Sequence, residues 1–156
     1  KTIHELVILI IGILVKKKLM KFLPINTDNV CHLKDFIESM GDSSPSFRYY
    51  SSRNPDEVIE NHISTFLLID DGCVGYGHLD KEDEKVWLGI CVKEGRKGKG
   101  YGKAIMEKLV SSYDGDIYLS VDTDNHVAIN LYKTFSFEKI DTSDKLYFMR
   151  KNATNL

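Results

Sequence analysis

The sequence predicts an α/β fold in which helices flank one mixed, mostly antiparallel sheet. Three observations support this class. Strand-like and amphipathic helical segments follow one another in the order β-α-α-β-β-β-α-β-α-β-β from Lys21 onward. The three consecutive strands in the middle are joined by tight turns, which is typical of antiparallel hairpins. A glycine-rich loop then leads into a long helix, which we interpret as the crossover to the next strand.

The chain of 156 residues has the composition of one globular domain, with 42% hydrophobic and 28% charged residues. A domain of this length buries roughly 70% of the surface of its unfolded chain, so we expect a hydrophobic core. The net charge of −2 gives no electrostatic reason to expect a nucleic-acid or anionic-membrane partner. Cys31, Cys73 and Cys91 lack C-x-x-C spacing, and we interpret them as buried free thiols of a cytoplasmic protein.

The first 19 residues differ from the rest of the sequence. Residues 6–15 form an apolar run that is followed by three lysines. A spanning helix needs about 20 apolar residues, and a signal peptide has its charges before the apolar run, so we expect neither. The segment is then an extra helix or strand, an interfacial anchor, or sequence upstream of a natural start at Met20. We divide the chain into an atypical extension over 1–19, one domain over 20–151 and a frayed tail over 152–156.

Local signals delimit the elements of the first half of the domain. Thr27-Asp28-Asn29 offers side chains that cap a helix N-terminus, and Gly41 favours the end of that helix. Pro55 suits the first position of a second helix, because an N–H would remain unpaired there. The predicted elements are a strand over 21–25, a helix that ends at Met40, a polar loop over 42–54 and a short helix over 56–62.

The second half alternates turns with apolar segments. Asp71-Gly72 and residues 82–84 indicate hairpin turns. The helix after the glycine loop has apolar residues at the spacing of one buried face. The predicted elements are strands over 65–70, 73–80 and 86–92, a helix over 101–112, a strand over 116–121, a helix capped by residues 122–125 that ends near Thr134, and paired strands over 138–140 and 145–149.

The loop after the strand over 86–92 is crowded with glycines and cations. Glycines at alternate positions can adopt positive φ and let the main chain approach a ligand closely. The helix that follows offers unpaired N–H groups at the positive end of its dipole. We therefore predict a site for phosphate or diphosphate, although a glycine-rich turn without a ligand is the alternative. Its residues are Lys97, Gly98, Lys99, Gly100, Tyr101, Gly102 and Lys103.

The spacing of these glycines shows which known phosphate-binding motif the loop resembles. A dinucleotide fingerprint needs G-x-G-x-x-G, whereas this loop reads G-x-G-x-G. A P-loop needs Ser or Thr after Gly-Lys, but Gly102-Lys103 is followed by Ala104. Instead, Lys97-Gly98-Lys99-Gly100-Tyr101-Gly102 resembles the acetyl-CoA signature of the GNAT acyltransferases, Gln/Arg-x-x-Gly-x-Gly/Ala, with a lysine in the Gln/Arg place.

A second segment supports this resemblance. The run Asn125-His126-Val127-Ala128-Ile129-Asn130-Leu131-Tyr132-Lys133 resembles a later segment of the same family, in which Asn, Ala and Tyr recur before Gly-Phe. Here Ser136-Phe137 stands in the Gly-Phe place, so the turn after that helix is expected to be built differently. The two segments and the element order make the resemblance extend from about Met20 to Lys151.

The resemblance implies an N-acetyltransferase that moves an acetyl group from acetyl-CoA to a primary amine. The glycine loop would hold the CoA diphosphate. The strand before it would splay from its neighbour, line up with the pantetheine arm and supply an oxyanion donor from its main chain. Asn125 would touch the pantetheine or only cap its helix, and both remain open. Beside the loop, the implied cofactor residues are Ile90, Cys91, Val92, Asn125 and Tyr132.

Tyr132 is the expected general acid. A phenol pKa of about 10 lets it protonate a leaving thiolate, whose thiol has a pKa of about 8.5, without being ionised at rest. Its helical spacing alone is also that of a core tyrosine. For the general base we favour His78, whose unperturbed pKa is about 6.5, with Asp80, Asp122 or a water relay as alternatives. The histidines show no metal-ligand spacing, so we predict no metal.

The acceptor pocket of the family is walled by the two early helices and their loop. Guanidinium groups there suit a carboxylate or phosphate, and aromatic rings suit a sugar or base. We therefore predict a small, anionic amine acceptor, an amino-sugar nucleotide or an amino acid, bound by Phe47, Arg48, Tyr49 and Arg53.

Several alternatives stay open at this point. The two arginines could instead pair with surface acids such as Asp42 or Glu57. The protein could acetylate a protein or peptide, regulate through CoA binding without catalysis, or bind a nucleotide. Monomer and homodimer are both compatible with the sequence.

Overall fold

The computed structural model describes residues 2–40 and 47–154, and for residues 13–19 it gives the main chain alone. The elements are, in order, α1 (Ile3–Leu19), β1 (Lys21–Pro24), α2 (Val30–Met40), α3 (Pro55–Val58), β2 (His62–Ile69), β3 (Cys73–Glu82), β4 (Lys85–Val92), α4 (Tyr101–Val110), β5 (Ile117–Asp122), α5 (His126–Thr134), β6 (Glu138–Thr142) and β7 (Leu146–Lys151). Short 3-10 turns at Arg48–Ser51 and Ile59–Asn61 flank α3.

In these described residues, seven strands form one sheet in the order β1-β2-β3-β4-β5-β7-β6. Neighbouring strands are antiparallel except for β4 and β5, which run parallel because α4 crosses between them. The predicted α/β class, the mostly antiparallel sheet and the element order from β1 onward are confirmed.

The boundaries of some elements differ from the predicted ones. The predicted helix over 56–62 is wrong at its end, because α3 stops at Val58 and a 3-10 turn follows. His62 instead begins β2, where it pairs with Asp80 of β3. Gly41 and residues 42–46, where we predicted the helix stop and the start of the polar loop, lie outside the described residues.

Residues 3–19 of the extension form helix α1, so this segment is a helix rather than a strand. Its described apolar side chains are exposed rather than packed on the domain, for example Leu6 and Ile8. None of the helices described here has the length and hydropathy of a membrane span.

The core lies on both faces of the sheet. In β2, Phe66 and Leu68 pack on the side of α4, whereas Leu67 packs on the side of α2, as the alternation of a strand requires. Of the apolar face predicted for α4, Tyr101, Ile105, Met106 and Leu109 are buried, whereas Val110 is only partly buried. α4 sits close on the sheet because β3 has Gly77 beneath it, where an added Cβ would lie 2.7 Å from Ile105 Cγ2. This packing fixes the glycine loop at the end of β4.

Candidate active site

A cleft opens where the parallel strands β4 and β5 separate. These strands pair only at their beginnings, Val86 with Ile117 and Trp87 with Tyr118, within the described chain. Beyond these pairs lies an open cavity of about 1130 Å³, bounded by the remainder of β4, the end of β5, the glycine loop, α5 and the segment from Phe47 to Arg53. A smaller hollow of about 290 Å³ beside α2 is lined by none of the predicted site residues.

The glycine loop forms one end of this cleft. Gly98 and Gly100 have φ of +76° and +84°, which a side chain would strain, and both line the cavity with Lys97 and Lys103. Gly102 serves a different purpose, because it lies inside α4 and an added Cβ would come within 3.2 Å of Leu131 Cδ2. The third glycine therefore allows α4 and α5 to approach each other.

The first turn of α4 offers free main-chain donors. The first helical hydrogen bond runs from the N–H of Ala104 to the carbonyl of Gly100. The N–H groups of Tyr101, Gly102 and Lys103 have no carbonyl partner among the described residues. These N–H groups lie at the positive end of the helix dipole, so an anion is stabilised there.

Two predicted loop residues have side chains outside the cavity wall. Tyr101 is buried in the core and its hydroxyl donates to the Asp70 carboxylate. The Lys99 side chain is exposed and is not among the described groups that line the cleft. Any contact of these residues with a ligand would therefore involve the main chain of Tyr101 and the charge of Lys99.

β4 forms the floor of the cleft. Ile90, Cys91 and Val92 all line it. After Trp87, the edge of β4 toward β5 has no strand partner in the described chain, which leaves main-chain groups for a ligand. Burial raises the pKa of the Cys91 thiol to about 12, so it stays a neutral thiol rather than a nucleophile.

Tyr132 of α5 faces β4 across the cleft. Its side chain is 7% exposed, and its hydroxyl has no protein hydrogen-bond partner among the described residues. Burial, with a smaller effect of nearby Cys91, raises the pKa of Tyr132 to about 12, so the phenol remains protonated and able to donate. The Asn125 side chain accepts from the N–H of Ala128, so Asn125 caps α5. Asn125 also lines the cleft.

The three candidate bases occupy different environments. His78 lines the cleft although only 2% of it is exposed. Burial lowers the pKa of His78 well below 6.5, and His62 and Arg53 lower it further, so its ring is neutral at neutral pH. Asp80 is buried away from the cavity, and Asp122 lines it.

The acceptor-side residues line the opposite end of the same cleft. Arg48 forms an ion pair with Asp122, and Arg53 donates to Glu82 at 3.0 Å. The Arg53 guanidinium also lies 4.4 Å from the centre of the Tyr49 ring. The alternative that these arginines pair with acids is thus realised, although with partners more distant in sequence than Glu57; Asp42 lies outside the described residues.

Among the described residues, His, Cys, Asp and Glu side chains form no group of three that could hold a metal ion. The cleft therefore offers main-chain donors for an anion, a protonated phenol and a neutral imidazole, with ion pairs at its mouth.

A family model described as the acetyltransferase (GNAT) family matches residues 30–137. The chain belongs to the GNAT acetyltransferase family. The predicted family, the acyltransferase class and acetyl-CoA as the cofactor of that class are confirmed.

Solved structures share the fold over most of the chain. The GNAT chain is 12% identical to yncA of Salmonella typhimurium, solved with its cofactor acetyl-CoA (TM-score 0.66, covering 86% of this chain and 94% of that one). It is 17% identical to the ribosomal-protein-S18-alanine N-acetyltransferase of Escherichia coli (TM-score 0.65, 88% and 96%). It is 15% identical to the spermidine N-acetyltransferase of Vibrio cholerae in complex with CoA and spermine (TM-score 0.64, 86% and 95%). The second and third of these proteins are named for different acceptors, and at these identities the likeness establishes the fold alone.

One curated relative is closer in sequence but much longer. An uncharacterized protein of Mycobacterium leprae is 34% identical over 84 residues, which cover 49% of this GNAT chain and 23% of that protein. The chain thus spans less than a quarter of the relative that it matches.

Some cleft residues were not predicted as site residues from the sequence. They come from β3, β4, β5, β7 and α5 and are Glu82, Trp87, Leu88, Gly89, Ser120, Val121, Val127, Ala128, Leu131 and Phe148. One of them had a readable signal, because an isolated glycine inside a strand, here Gly89, indicates a close approach by another group. The others have no local pattern that separates them from ordinary strand or helix residues.

Proposed function

We propose that this protein transfers an acetyl group from acetyl-CoA to the primary amine of a small acceptor. One observation carries the proposal: a single cleft joins the free N–H groups at the start of α4, the unpaired edge of β4 and the Tyr132 hydroxyl. An acyl transfer needs an anchored carrier, an oxyanion donor and an acid for the leaving sulfur, and these features lie together in that order.

The cofactor-side residues fit acetyl-CoA. No described atom lies within 4 Å of a Cβ added at Gly98 or Gly100, so the loop surface has room for a diphosphate. The main-chain N–H groups of residues 101–103 would bind that diphosphate, with Lys97 and Lys103 adding positive charge. The residues over 90–92 would bind the pantetheine arm. When bound, acetyl-CoA supplies the acetyl thioester.

The chemistry is divided among three groups of the chain. A β4 main-chain N–H would donate to the oxyanion. The His78 ring nitrogen would accept the proton that the acceptor amine loses. The Tyr132 hydroxyl would donate its proton to the leaving sulfur, and its raised pKa keeps that proton available. Asp122 is a weaker choice of base because Arg48 already pairs with it, and Asp80 because it is buried away from the cleft.

The acceptor end of the cleft favours a small amine that also has an anionic group. Each arginine there is accompanied by a carboxylate, so the mouth presents both charges: Arg48 with Asp122 and Arg53 with Glu82. An ammonium group and a carboxylate or phosphate on one molecule match this alternation without leaving a charge unpaired. Amino acids and amino-sugar nucleotides both have that chemistry, and the Phe47 and Tyr49 rings offer apolar faces.

A peptide N-terminus is the second candidate acceptor. The cleft is open rather than enclosed, so an extended chain can enter it, which favours this reading. Regulation through CoA binding without turnover is the alternative of another class. We place the reaction in the cytoplasm, since the cysteines of the described chain are free thiols, and propose either a monomer or a homodimer.

An acceptor panel read by thiol release tests the proposal. The panel contains amino acids, amino sugars, amino-sugar nucleotides and short peptides with free N-termini. We expect the fastest release with an amine that also has an anionic group. Fastest release with peptides would transfer the assignment to the second candidate. If the protein binds acetyl-CoA but releases no thiol with any amine, the protein is a regulatory CoA-binding module rather than an enzyme.

A further inference from the structure

A chain of hydrogen bonds leads from His78 away from the cleft. The Nδ1 atom of His78 lies 2.8 Å from the Tyr76 hydroxyl, which in turn hydrogen-bonds to the Tyr50 hydroxyl. Tyr76 is completely buried, whereas Tyr50 is 9% exposed. The proposed reaction uses the other ring nitrogen, so it leaves these two hydroxyls without a role.

Gly89 leaves the space that the His78 ring occupies beside the cleft. It lies opposite His78 in the β3–β4 pair, and an added Cβ would be 2.3 Å from His78 Cε1 and 2.9 Å from each ring nitrogen. Of the side chains described, no buried N or O atom lacks a hydrogen-bond partner. Among the described residues, Nε2 of His78 has no protein partner, which places it at the open cavity that His78 lines.

Aromatic packing fixes the plane of the His78 ring. The Tyr49 ring centre lies 4.2 Å away and the His62 ring centre 4.8 Å away, the latter at an interplanar angle of 19°. Tyr49 is itself held, since its hydroxyl donates to Asp80 at 2.6 Å and lies 2.7 Å from His62 Nε2. A ring held in this way keeps Nδ1 on Tyr76 and Nε2 toward the cleft, and only the position of its proton is left to be set.

The Tyr76 hydroxyl decides that position because it has one proton to give. If Tyr76 donates to Nδ1, the imidazole proton is on Nε2, and His78 presents an N–H donor to the cleft. If Tyr76 donates to Tyr50, Nδ1–H donates to Tyr76, and His78 presents the unprotonated Nε2 to the cleft as an acceptor. The Tyr50 hydroxyl then accepts from Tyr76, and its own proton needs an acceptor outside this chain of hydrogen bonds; Tyr50 as a whole is 9% exposed.

We propose that Tyr50 and Tyr76 are positioning residues that hold His78 as the Nδ1–H tautomer and so present an unprotonated Nε2 to the acceptor amine. The proposal rests on the proposed function of this cleft. It assigns a role to Tyr50, which lies outside the cavity wall among the described residues and acts on the reaction through two hydrogen bonds.

Nitrogen-15 NMR of the full chain with labelled histidines tests the tautomer directly, without any acceptor. The His78 signals are assigned by their loss in His78→Gln. We expect Nδ1–H in the wild type and Nε2–H in Tyr50→Phe, because the Tyr76 proton then has only Nδ1 as acceptor. Tyr113→Phe, which removes a hydroxyl from a half-buried tyrosine outside the cleft, should change nothing. An Nε2–H tautomer in the wild type, or an unchanged one in Tyr50→Phe, would overturn the proposal.

Turnover separates this proposal from the proposed function. With the amine that gives the fastest thiol release, Tyr50→Phe should lower kcat by about tenfold or more and leave the KM for acetyl-CoA unchanged. Tyr76→Phe, as a second variant, should lower kcat similarly. If His78→Gln is inactive while both tyrosine variants keep full kcat, His78 is still the general base, but the positioning role of Tyr50 and Tyr76 is wrong. If His78→Gln keeps full kcat, His78 is not the general base, and the positioning role is wrong as well.

Discussion

The two ends of the cleft are built in different ways. At the end proposed for the cofactor, the groups that could bind a ligand are main-chain N–H donors from one continuous stretch around the glycine loop. At the acceptor end, they are side chains from distant parts of the chain: Arg48 reaches Asp122 across 74 positions, and Tyr49 reaches Asp80 across 31. The first end is fixed by local backbone conformation and the second by tertiary packing.

This difference has consequences for substitution. Main-chain donors survive most side-chain changes and are lost only when a Cβ or a strained φ disturbs the loop. Side-chain partners are lost one at a time, and each loss leaves a charge or hydrogen-bonding group unpaired. Variants at the two ends should therefore separate cofactor affinity from acceptor affinity, with catalysis at the junction between them.

The largest effect is expected at that junction. Tyr132→Phe removes the acid and should lower kcat by about 100-fold, because general acid catalysis typically contributes that much. The dissociation constant of acetyl-CoA should stay within about twofold, since no main-chain donor changes. Thiol release gives kcat, and calorimetry gives the affinity. A wild-type kcat in Tyr132→Phe would show that Tyr132 is not the general acid.

A matched pair of glycines tests the cofactor end. Gly100→Val and Gly95→Val place a side chain at φ of +84° and +80°, each with no described atom within 4 Å of the new Cβ. Both changes should therefore have a similar strain of about 1–2 kcal/mol. Only Gly100 lines the cleft, so we expect acetyl-CoA affinity to fall at least about tenfold in Gly100→Val and to stay unchanged in Gly95→Val. Equal affinities in the two folded variants would exclude the loop as the diphosphate site.

A smaller effect is expected at the acceptor end. Arg48→Ala should raise the KM for the acceptor by about three- to tenfold, because it removes one partner of the anionic group. Stability should change by less than about 1 kcal/mol, since both members of the Arg48–Asp122 pair are partly exposed. A double-mutant cycle with Asp122→Asn checks whether the two act as a pair. If Arg48→Ala raised the KM for acetyl-CoA instead, Arg48 would belong to the cofactor site rather than to the acceptor site.

The smallest effect concerns stability and pH. Burial lowers the pKa of both His78 and His62, so the unfolded chain binds more protons than the folded one as the pH falls through about 6.5. The stability that the folded state gains from holding these two histidines neutral is complete above about pH 6.5 and is lost as the pH falls below that value. Urea unfolding should show the free energy of unfolding falling by about 1 kcal/mol or more between pH 7 and pH 5.5. His78→Gln should reduce that slope, and an equal slope would mean that His78 is not held neutral.

The same contrast explains what the sequence could predict. The glycine loop and α4 were predicted from glycine spacing and helix periodicity, because both depend on local conformation. Tyr132 was singled out by the family resemblance, since its spacing alone is that of a core tyrosine, and it lines the cleft. The carboxylate partners of Arg48 and Arg53 were expected elsewhere, because an ion pair across strands depends on the register and order of the whole sheet. His78 was chosen for its pKa, yet the hydrogen bonds that orient it come from tyrosines whose proximity only the fold reveals.

A crystal structure with acetyl-CoA would test the central claim most directly. We expect the diphosphate on the N–H groups of residues 101–103, the pantetheine along β4 from Ile90 to Val92, and the sulfur within hydrogen-bonding distance of the Tyr132 hydroxyl. Acetyl-CoA bound elsewhere, or a sulfur out of reach of that hydroxyl, would contradict it.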